Sequence, residues 1–537
     1  MGRISRRSFN RLAAATGALA ALPFGLAQSQ VRFASPPFQL GVASGDPSAD
    51  GFVIWTRLAP EPFAPASLGD TIFEVSWEVA EDAQFARIAK QGVAWARPHL
   101  AHAVHAEVTG LAAGREYFYR FRLGRYESAA GRALTCPAAD AATASMKFAF
   151  ASCAHYEQGF FSAYRYMAED RPDLILMLGD YIYEDAWGDR RVRQFDPIEA
   201  VTLTDYRRRY TQYRTDPDLQ AAHAACPWLV TWDDHEVDND YVSLTSEHEL
   251  CGGEAVRAAF PARRAAAYQA WFEHMPVRPS RLRPDMAVQI YGTVDWGSLA
   301  RFHVLDTRQY RSVQVCPNLP TAMRCDFEKG RKILFGGAGG ANFIDPFESS
   351  CKAALADPSR TVLGAAQERW LDESLAGSAA AWNLLTQNVM VMTVAEGTAE
   401  SPRYHSDAWA GYPPARERLF ASLTKHRAAN PVVLTGDIHS FWVNELANAA
   451  GRPVAVELVT SSIATSTYDK SAHLPLNPGA KFHDGLHNGY VRCELGRGAL
   501  RADIVTIENR EDARSGRAVA ASFEVNSGDP HARRVET

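Results

Sequence analysis

The chain has 537 residues, 47% of them hydrophobic and 22% charged, with a formal net charge of −6 at pH 7. Such a length exceeds what one average core fills and predicts two domains, in an ordinary globular composition. The acidic balance, with arginines interleaved among acids, argues against a nucleic-acid-binding surface, whose expected footprint is a basic patch.

Residues 1–27 read as an export signal. SRRSFNRL (Ser5 to Leu12) is a basic start, LAAATGALAALPFGLA a short apolar run rich in Ala and Gly, and Gly25-Leu26-Ala27 a small-residue cleavage site. Arg6-Arg7 with Phe9 resembles a twin-arginine signal, which implies the twin-arginine translocase as an export partner and a periplasmic or secreted destination. That route carries folded proteins, often with a cofactor already loaded, a first hint of metal. No later apolar run reaches the roughly 18 residues that a membrane span needs. Eight cysteines (Cys136, Cys153, Cys226, Cys251, Cys316, Cys325, Cys351 and Cys493) form no C-x-x-C pair, so no zinc knuckle or thioredoxin-type site is written. Export permits disulfides; Cys316 with Cys325 is one candidate pair, and Cys251 and Cys351 are further candidates.

Residues 36–137 alternate with period two, as in TIFEVSWEVA and REYFYRFRL, between turns such as ASGDPSADG and GLAAG. This predicts an all-β domain. HAEVTGLAAGREYFYRFRLG resembles the closing hairpin of a fibronectin type III or immunoglobulin-like sandwich.

After the linker-like TCPAADAATASM the pattern changes, and residues 146–520 read as a second domain. KFAFASC, DLILMLGD, PWLVTWDD, LARFHVLDTRQ, AAWNLLTQNVMV and NPVVLTGDIHS are apolar strand-like runs. Between them lie helical stretches, DYRRRYTQYRTDPDLQAAHA with a Pro break and PARRAAAYQAWFEHM. Continuous apolar strands alternating with helices predict an α/β core with buried strands. GGAGGAN (Gly336 to Asn342) is read as an insertion, because no strand-to-helix context makes it a phosphate loop.

In such sheets ligands gather at the carboxyl ends of strands, and five ends carry metal-competent or proton-transferring groups. These are Cys153; Asp180 and Tyr183; Asp233, Asp234 and His235; Gln387 and Asn388; Asp437 and His439. Each alone has a plainer reading: a buried thiol, a capped turn, a solvated acidic loop. Their repetition at successive strand ends is what points to a site.

FASC, GDYIYED, TWDDHE, LDTRQYR and VVLTGDIHS, in this order, together with FQLGVASGDPSADGFVIWTRLAP near the start, resemble the PhoD-type alkaline phosphatase/phosphodiesterases over nearly the whole mature chain. The resemblance implies a calcineurin-like metallophosphoesterase α/β/β/α sandwich preceded by an all-β fibronectin/Ig-like domain. G-D-x-x-Y and G-x-x-H more distantly resemble the purple acid phosphatases. There, however, the first ligand is Asp rather than Cys153, and histidines stand where this chain offers Asp437 and Gln387.

That departure shifts the metal chemistry. Histidines favour zinc, copper or iron, whereas carboxylates and amides favour hard cations such as calcium. Cys153, Asp180, Tyr183 and His439 offer thiolate, carboxylate, phenolate and imidazole; a phenol with an ordinary pKa of about 10 binds as phenolate only to a strongly acidic ion, which ferric iron is. Asp180 as a bridge with Asp234 and Asp437 is nearly all oxygen. The resemblance implies ferric iron in the first half and calcium beside it, clamping a phosphate mono- or diester for in-line attack by water.

His235 stands where the family has a histidine beside the metals; it would protonate the leaving oxygen or bond the phosphate. Arg308 and Arg311 either orient substrate or pair with acids such as Asp306. Asp233 is a ligand or a partner of a histidine, and Asn239 and Asn383 are further amide candidates. Asp407, Trp409 and Tyr412 are candidate lid residues.

Monoester, diester and phospholipase D-like chemistry stay open on this fold. A non-haem iron oxygenase is disfavoured because its two-histidine, one-carboxylate triad is not written. A calcium-dependent binding protein would place its acids in the sandwich loops, and no G-x-S-x-G elbow of a serine hydrolase occurs.

Overall fold

The computed structural model describes residues 32–188, 190–283, 287–315, 324–326, 331–333, 343–344 and 349–536. The expected signal of residues 1–27, the expected Gly-rich insertion at 336–342 and the side chains of the candidate Cys316–Cys325 pair lie outside the described residues. Cys351 is disulfide-bonded, while Cys136, Cys153, Cys226 and Cys493 are buried free thiols.

Strand Leu174–Leu178, LILML, is buried at every position. Leu174, Leu176 and Leu178 pack into the core between two sheets, and Ile175 and Met177 into the core under the helices. This is the period-two division of a strand with no solvent face. It belongs to a ten-stranded sheet whose centre runs parallel through Ser145–Ala151, Leu174–Leu178, Pro227–Thr231 and Val42–Ser48. A seven-stranded sheet has its own parallel centre: Ala300–Val304, Trp382–Thr386, Pro431–Thr435 and Pro453–Val459.

The sheets pack face to face through Phe148, Phe150, Leu176, Phe302, Leu384 and Val432, with the Phe148 and Phe302 rings edge-on at 5.7 Å. Helices Ser162–Glu169, Leu203–Arg214, Pro217–Ala225 and Glu249–His274 cover the first sheet. Helices Gly364–Ala376 and Pro413–Lys425 cover the second. The result is the four-layer α/β/β/α arrangement, with an all-β region ahead of it.

Two features of that region differ from the sequence reading. The strands Ala103–Val108 and Glu116–Leu123 are not a hairpin. The first pairs with Gly51–Arg57 in the ten-stranded sheet, the second with Phe73–Ala80 in a five-stranded sheet opposite. The chain crosses between sheets at Gly110–Gly114, where the Tyr117 hydroxyl accepts from the Ala112 N–H at 3.0 Å, a tyrosine corner. The second difference is that Val42–Ser48, Gly51–Arg57 and Ala103–Val108 form one face of the sandwich and also extend the central sheet. Ser44 and Gly45 pair in parallel with Pro227 and Trp228.

That junction is tight. A Cβ on Gly45 would stand 2.3 Å from the Pro276 carbonyl oxygen. Asp46 takes two guanidinium bonds from Arg281, at 2.6 and 2.8 Å, and the Trp55 indole donates to the Glu273 carbonyl at 2.9 Å. A shared sheet predicts one cooperative unfolding transition for the chain, with fluorescence and far-UV circular dichroism coincident. Gly45→Val should lower its stability by about 2–3 kcal/mol through overpacking. A separate early transition of the β-rich region would show that the junction couples nothing.

Candidate metal centre

At three of the five strand tips the groups are delivered through turns that only a strong local requirement would keep. Cys153 (φ 60°), Asp180 (φ 53°), Asp437 (φ 65°) and His439 (φ 53°) all lie in the left-handed region, at a cost of roughly 1–2 kcal/mol for each side-chain-bearing residue. Before Asp180, Gly179 (φ 92°) passes so close to the next strand that a Cβ would sit 2.4 Å from that of Asp233. Glu236 ties the two turns together. Its carboxylate accepts from the backbone N–H of Asp180 (3.0 Å), Tyr181 (2.6 Å) and Asp233 (2.8 Å).

The tips converge. One donor atom each from Cys153, Asp180 and His439 lie within 4.8 Å of one another, as do those of Asp180, Asp234 and His235, of Asp233, Asp234 and Asp437, and of Asp234, Asp240 and Asp407. Asp180 belongs to the first two sets and Asp234 to the last three. The Tyr183 hydroxyl is 3.1 Å from Asp180 Oδ2, 3.1 Å from His439 Nε2 and 3.2 Å from Thr465 Oγ1. Cys153, Asp180, Tyr183 and His439 therefore surround one point, with Asp234, Asp233 and Asp437 beside it.

Burial makes these groups oppose one another's ionisation. It raises Asp180 well above the usual carboxylate range, with Asp234 adding to the effect, and raises Asp437 likewise with Asp233 and Asp234. Asp233 is pushed up to about 7 by burial despite Arg308. Burial and the neighbouring Asp180 raise the Cys153 thiol and the Tyr183 phenol, and burial pulls His439 down to about 3. Asp233 Oδ2 is buried with no hydrogen-bond partner among the described residues. A donor set of thiol, phenol, imidazole and carboxylates this close together fits a multiply charged cation, which favours the donor form of each.

His235 behaves differently. Burial alone would lower it, but Glu184, Asp234 and Asp180 raise it well above the ordinary histidine value. Its Nδ1 is 2.7 Å from Glu184 Oε2, and Glu184 Oε1 accepts from the Asn239 N–H at 2.8 Å. Glu184 fixes Nδ1 as the proton-bearing nitrogen and leaves Nε2 for exchange.

Other expected residues stand elsewhere. Arg308 is fully buried, bonded through Nε to Asp233 and through Nη1 to Asp407 at 3.0 Å. It faces the carboxylates from behind rather than reaching outward for substrate. Its partner is not Asp306, which accepts instead from the backbone N–H of Arg308 and Gln309, both at 3.0 Å. Arg311 is likewise spent on Asp407, at 2.6 Å. The Gln387 amide is engaged on both sides, donating to Thr435 Oγ1 at 2.7 Å and accepting from the Trp409 indole at 3.2 Å. Asn388 donates to the Leu178 carbonyl at 2.8 Å and so braces the Asp180 turn.

Asn239 donates its side-chain amide to Glu247. Asn383 stands at the opposite end of its strand, against His303 (3.2 Å) and the Ala429 carbonyl (2.9 Å). Asp407, Trp409 and Tyr412, expected as a lid, are buried and form part of the wall behind the cluster. Sequence reasoning missed Glu184 and Glu236. Both lie inside quoted motifs, GDYIYED and TWDDHE, and the pairing of GDYIYED with the histidine of TWDDHE was the available signal.

Removing Arg308 strands the buried Asp233 carboxylate and weakens the hold on Asp407, which keeps Arg311. Arg308→Met should lower stability by about 3–5 kcal/mol in urea unfolding. A stable variant with only a raised KM would instead place the guanidinium on substrate.

Two back-to-back sheets between helical layers, with an acid-rich donor cluster across the tips of their parallel strands, define a metallophosphoesterase. The family model for PhoD-like phosphatase matches residues 148–504, and that for the PhoD-like phosphatase N-terminal domain matches residues 25–137. Alkaline phosphatase D of Bacillus subtilis (strain 168) is 39% identical over 520 residues, which cover 94% of this chain and 83% of the relative. A solved structure of PhoD superposes with a TM-score of 0.85 at 38% identity, covering 94% of each chain. The chain belongs to the PhoD-like phosphatase family and is a phosphoric ester hydrolase. Among the described residues no helix is long and apolar enough to cross a membrane.

Proposed function

We propose that the enzyme is an exported alkaline phosphatase with phosphodiesterase activity whose centre holds ferric iron and calcium side by side. Cys153, Asp180, Tyr183 and His439 would hold the iron, and Asp180, Asp234 and Asp437, with Asp233 behind them, the calcium. The observation that carries this reading is the Tyr183 hydroxyl, 3.1 Å from both Asp180 and His439 within the set that includes the Cys153 thiol. Thiolate with phenolate suits a highly charged, strongly Lewis-acidic ferric ion better than the calcium that an all-carboxylate site takes. When bound, two such cations supply Lewis-acid polarisation of a phosphoryl group and a lower pKa for water.

The chain's own residues do the rest. Asp180 and Asp234 are shared between the donor sets and hold the two halves in register. Arg308 offsets the charge of Asp233 and Asp407 from behind and keeps the carboxylates together. His235, held at Nδ1 by Glu184, moves a proton at Nε2, giving it to the departing oxygen or bonding a phosphoryl oxygen. The leader of residues 1–27, by its Arg6-Arg7 pair, supports export through the twin-arginine translocase to the periplasm or beyond.

Elemental analysis of protein exported by its own leader, beside assays on aryl phosphate monoesters and diesters, tests the whole reading; zinc in place of iron and calcium would overturn it. Asp180→Ala should lose both metals and all turnover, and an active, iron-replete variant removes the bridge. Tyr183→Phe should abolish the visible phenolate-to-iron absorption, whereas unchanged colour means that Tyr183 is no ligand. Excess EGTA should stop hydrolysis with iron content unchanged, and full activity in EGTA excludes calcium.

A further inference from the structure

Next to His439 stand two aromatic rings that the chemistry above does not use. The Trp187 ring lies 6.3 Å from the His439 ring with planes 6° apart, and the Tyr468 ring lies 5.4 Å from it with planes 9° apart. Both are nearly parallel to the imidazole and hence to each other. Trp187 is anchored on the metal-centre side, edge-on to His155 at 5.3 Å and against Tyr183 at 6.2 Å, and its carbonyl accepts from Gln158 Nε2 at 2.9 Å. Tyr468 is tied by its backbone N–H to the His439 carbonyl at 3.3 Å.

Both rings are more accessible than the imidazole they flank. His439 is 7% accessible and Tyr468 41%, with Trp187 half-buried. The Gly485 backbone packs on that of Tyr468, and the residue after it, Leu486, is 71% accessible. Single exposed apolar residues are ordinary, but aromatic and aliphatic side chains grouped at the edge of a catalytic cluster mark a binding surface.

We infer that Trp187 and Tyr468 form a stacking subsite for the organic half of the ester, and that the substrates it favours are phosphoesters carrying a planar ring, aryl or nucleobase, close to the phosphorus. The inference rests on the assignment of the Cys153–Asp180–Asp437 cluster as the place where phosphorus is held. With phosphorus there, the two rings beside His439, both more exposed than the imidazole, are available to a substituent on an ester oxygen. A planar group continuing an offset stack gains about three- to tenfold in affinity, and an alkyl group of similar size gains less. Both rings contact His439 rather than the reacting atoms, so their effect falls on binding of the ring and not on proton transfer.

The test uses the enzyme as purified with its metals. Phenylphosphonate and methylphosphonate serve as competitive inhibitors, and phenyl phosphate and glycerol phosphate as substrates. Tyr468→Ala should weaken phenylphosphonate about three- to tenfold and lower kcat/KM for phenyl phosphate in proportion. Methylphosphonate and glycerol phosphate should stay within about twofold, and Tyr468→Phe should restore the ring preference. Trp187→Leu should repeat the pattern. Equal losses with both members of each pair, or no loss with either, overturn the subsite while the phosphatase reading stands. Failure of the wild-type enzyme to hydrolyse either ester overturns the placement of phosphorus at the cluster, and the subsite with it.

Discussion

The fold is organised around like charges held where water cannot screen them. Asp180, Asp233, Asp234 and Asp407 are buried, each at 5% accessibility or less, and Asp437 is only partly accessible. Arg308 alone reaches four carboxylates, contacting Asp233, Asp234, Asp407 and Asp437. At such separations, repulsion between two carboxylates amounts to several kcal/mol even at the effective dielectric of a protein edge. One guanidinium, itself shared with Arg311 at Asp407, does not offset it. The remaining positive charge is what the site is built to receive. This explains why the scaffold tolerates four left-handed residues: strain of this kind persists where the surrounding structure over-determines it, and it clusters at functional sites.

The asymmetry of the cluster follows from which tips face which. The tips of Ser145–Ala151 and Leu174–Leu178 bring the thiol, the phenol and one face of Asp180. The tip of Pro227–Thr231 brings Asp233, Asp234 and His235, with Arg308 behind them. Asp437 and His439, two residues apart on one turn, separate to opposite halves because each is left-handed (φ 65° and 53°) and the intervening Ile438 N–H bonds back to the Gly436 carbonyl at 2.8 Å. A single short turn thus supplies an oxygen donor to one side and a nitrogen donor to the other.

Much of this was legible in the sequence because it is local. An apolar run ending in Gly179-Asp180 is a buried strand and a turn whatever surrounds it, and five such endings in one α/β chain have few places to go. What was not legible depended on partners distant in sequence. Arg308 and Asp233 are 75 residues apart, and nothing in LDTRQYR distinguishes a guanidinium that greets substrate from one that braces a carboxylate. Gln387 sits at a strand tip as expected, but its amide is claimed by Trp409, from a loop that read as a lid. Val42–Ser48 has the same pattern whether its neighbour is only Gly51–Arg57 or also Pro227–Thr231, so its membership of the central sheet was hidden.

That hidden pairing bears on the chemistry. Pro227–Thr231 lies between Leu174–Leu178 and Val42–Ser48, and its tip carries Asp233, Asp234 and His235. Without the N-terminal strand it would be a sheet edge, free to twist and to pair with another chain. With it, the strand is fixed on both sides. The helix Glu249–His274, which packs on this region through Trp271 stacked edge-on against Trp232 at 5.0 Å, is tied at its end to Trp55. Catalytic geometry tolerates displacements of only about 1 Å before rates fall by orders of magnitude. Without contributing a donor to the cluster, the β-rich region thus sets, through the rigidity of a shared sheet, the position of the strand that presents three of its members.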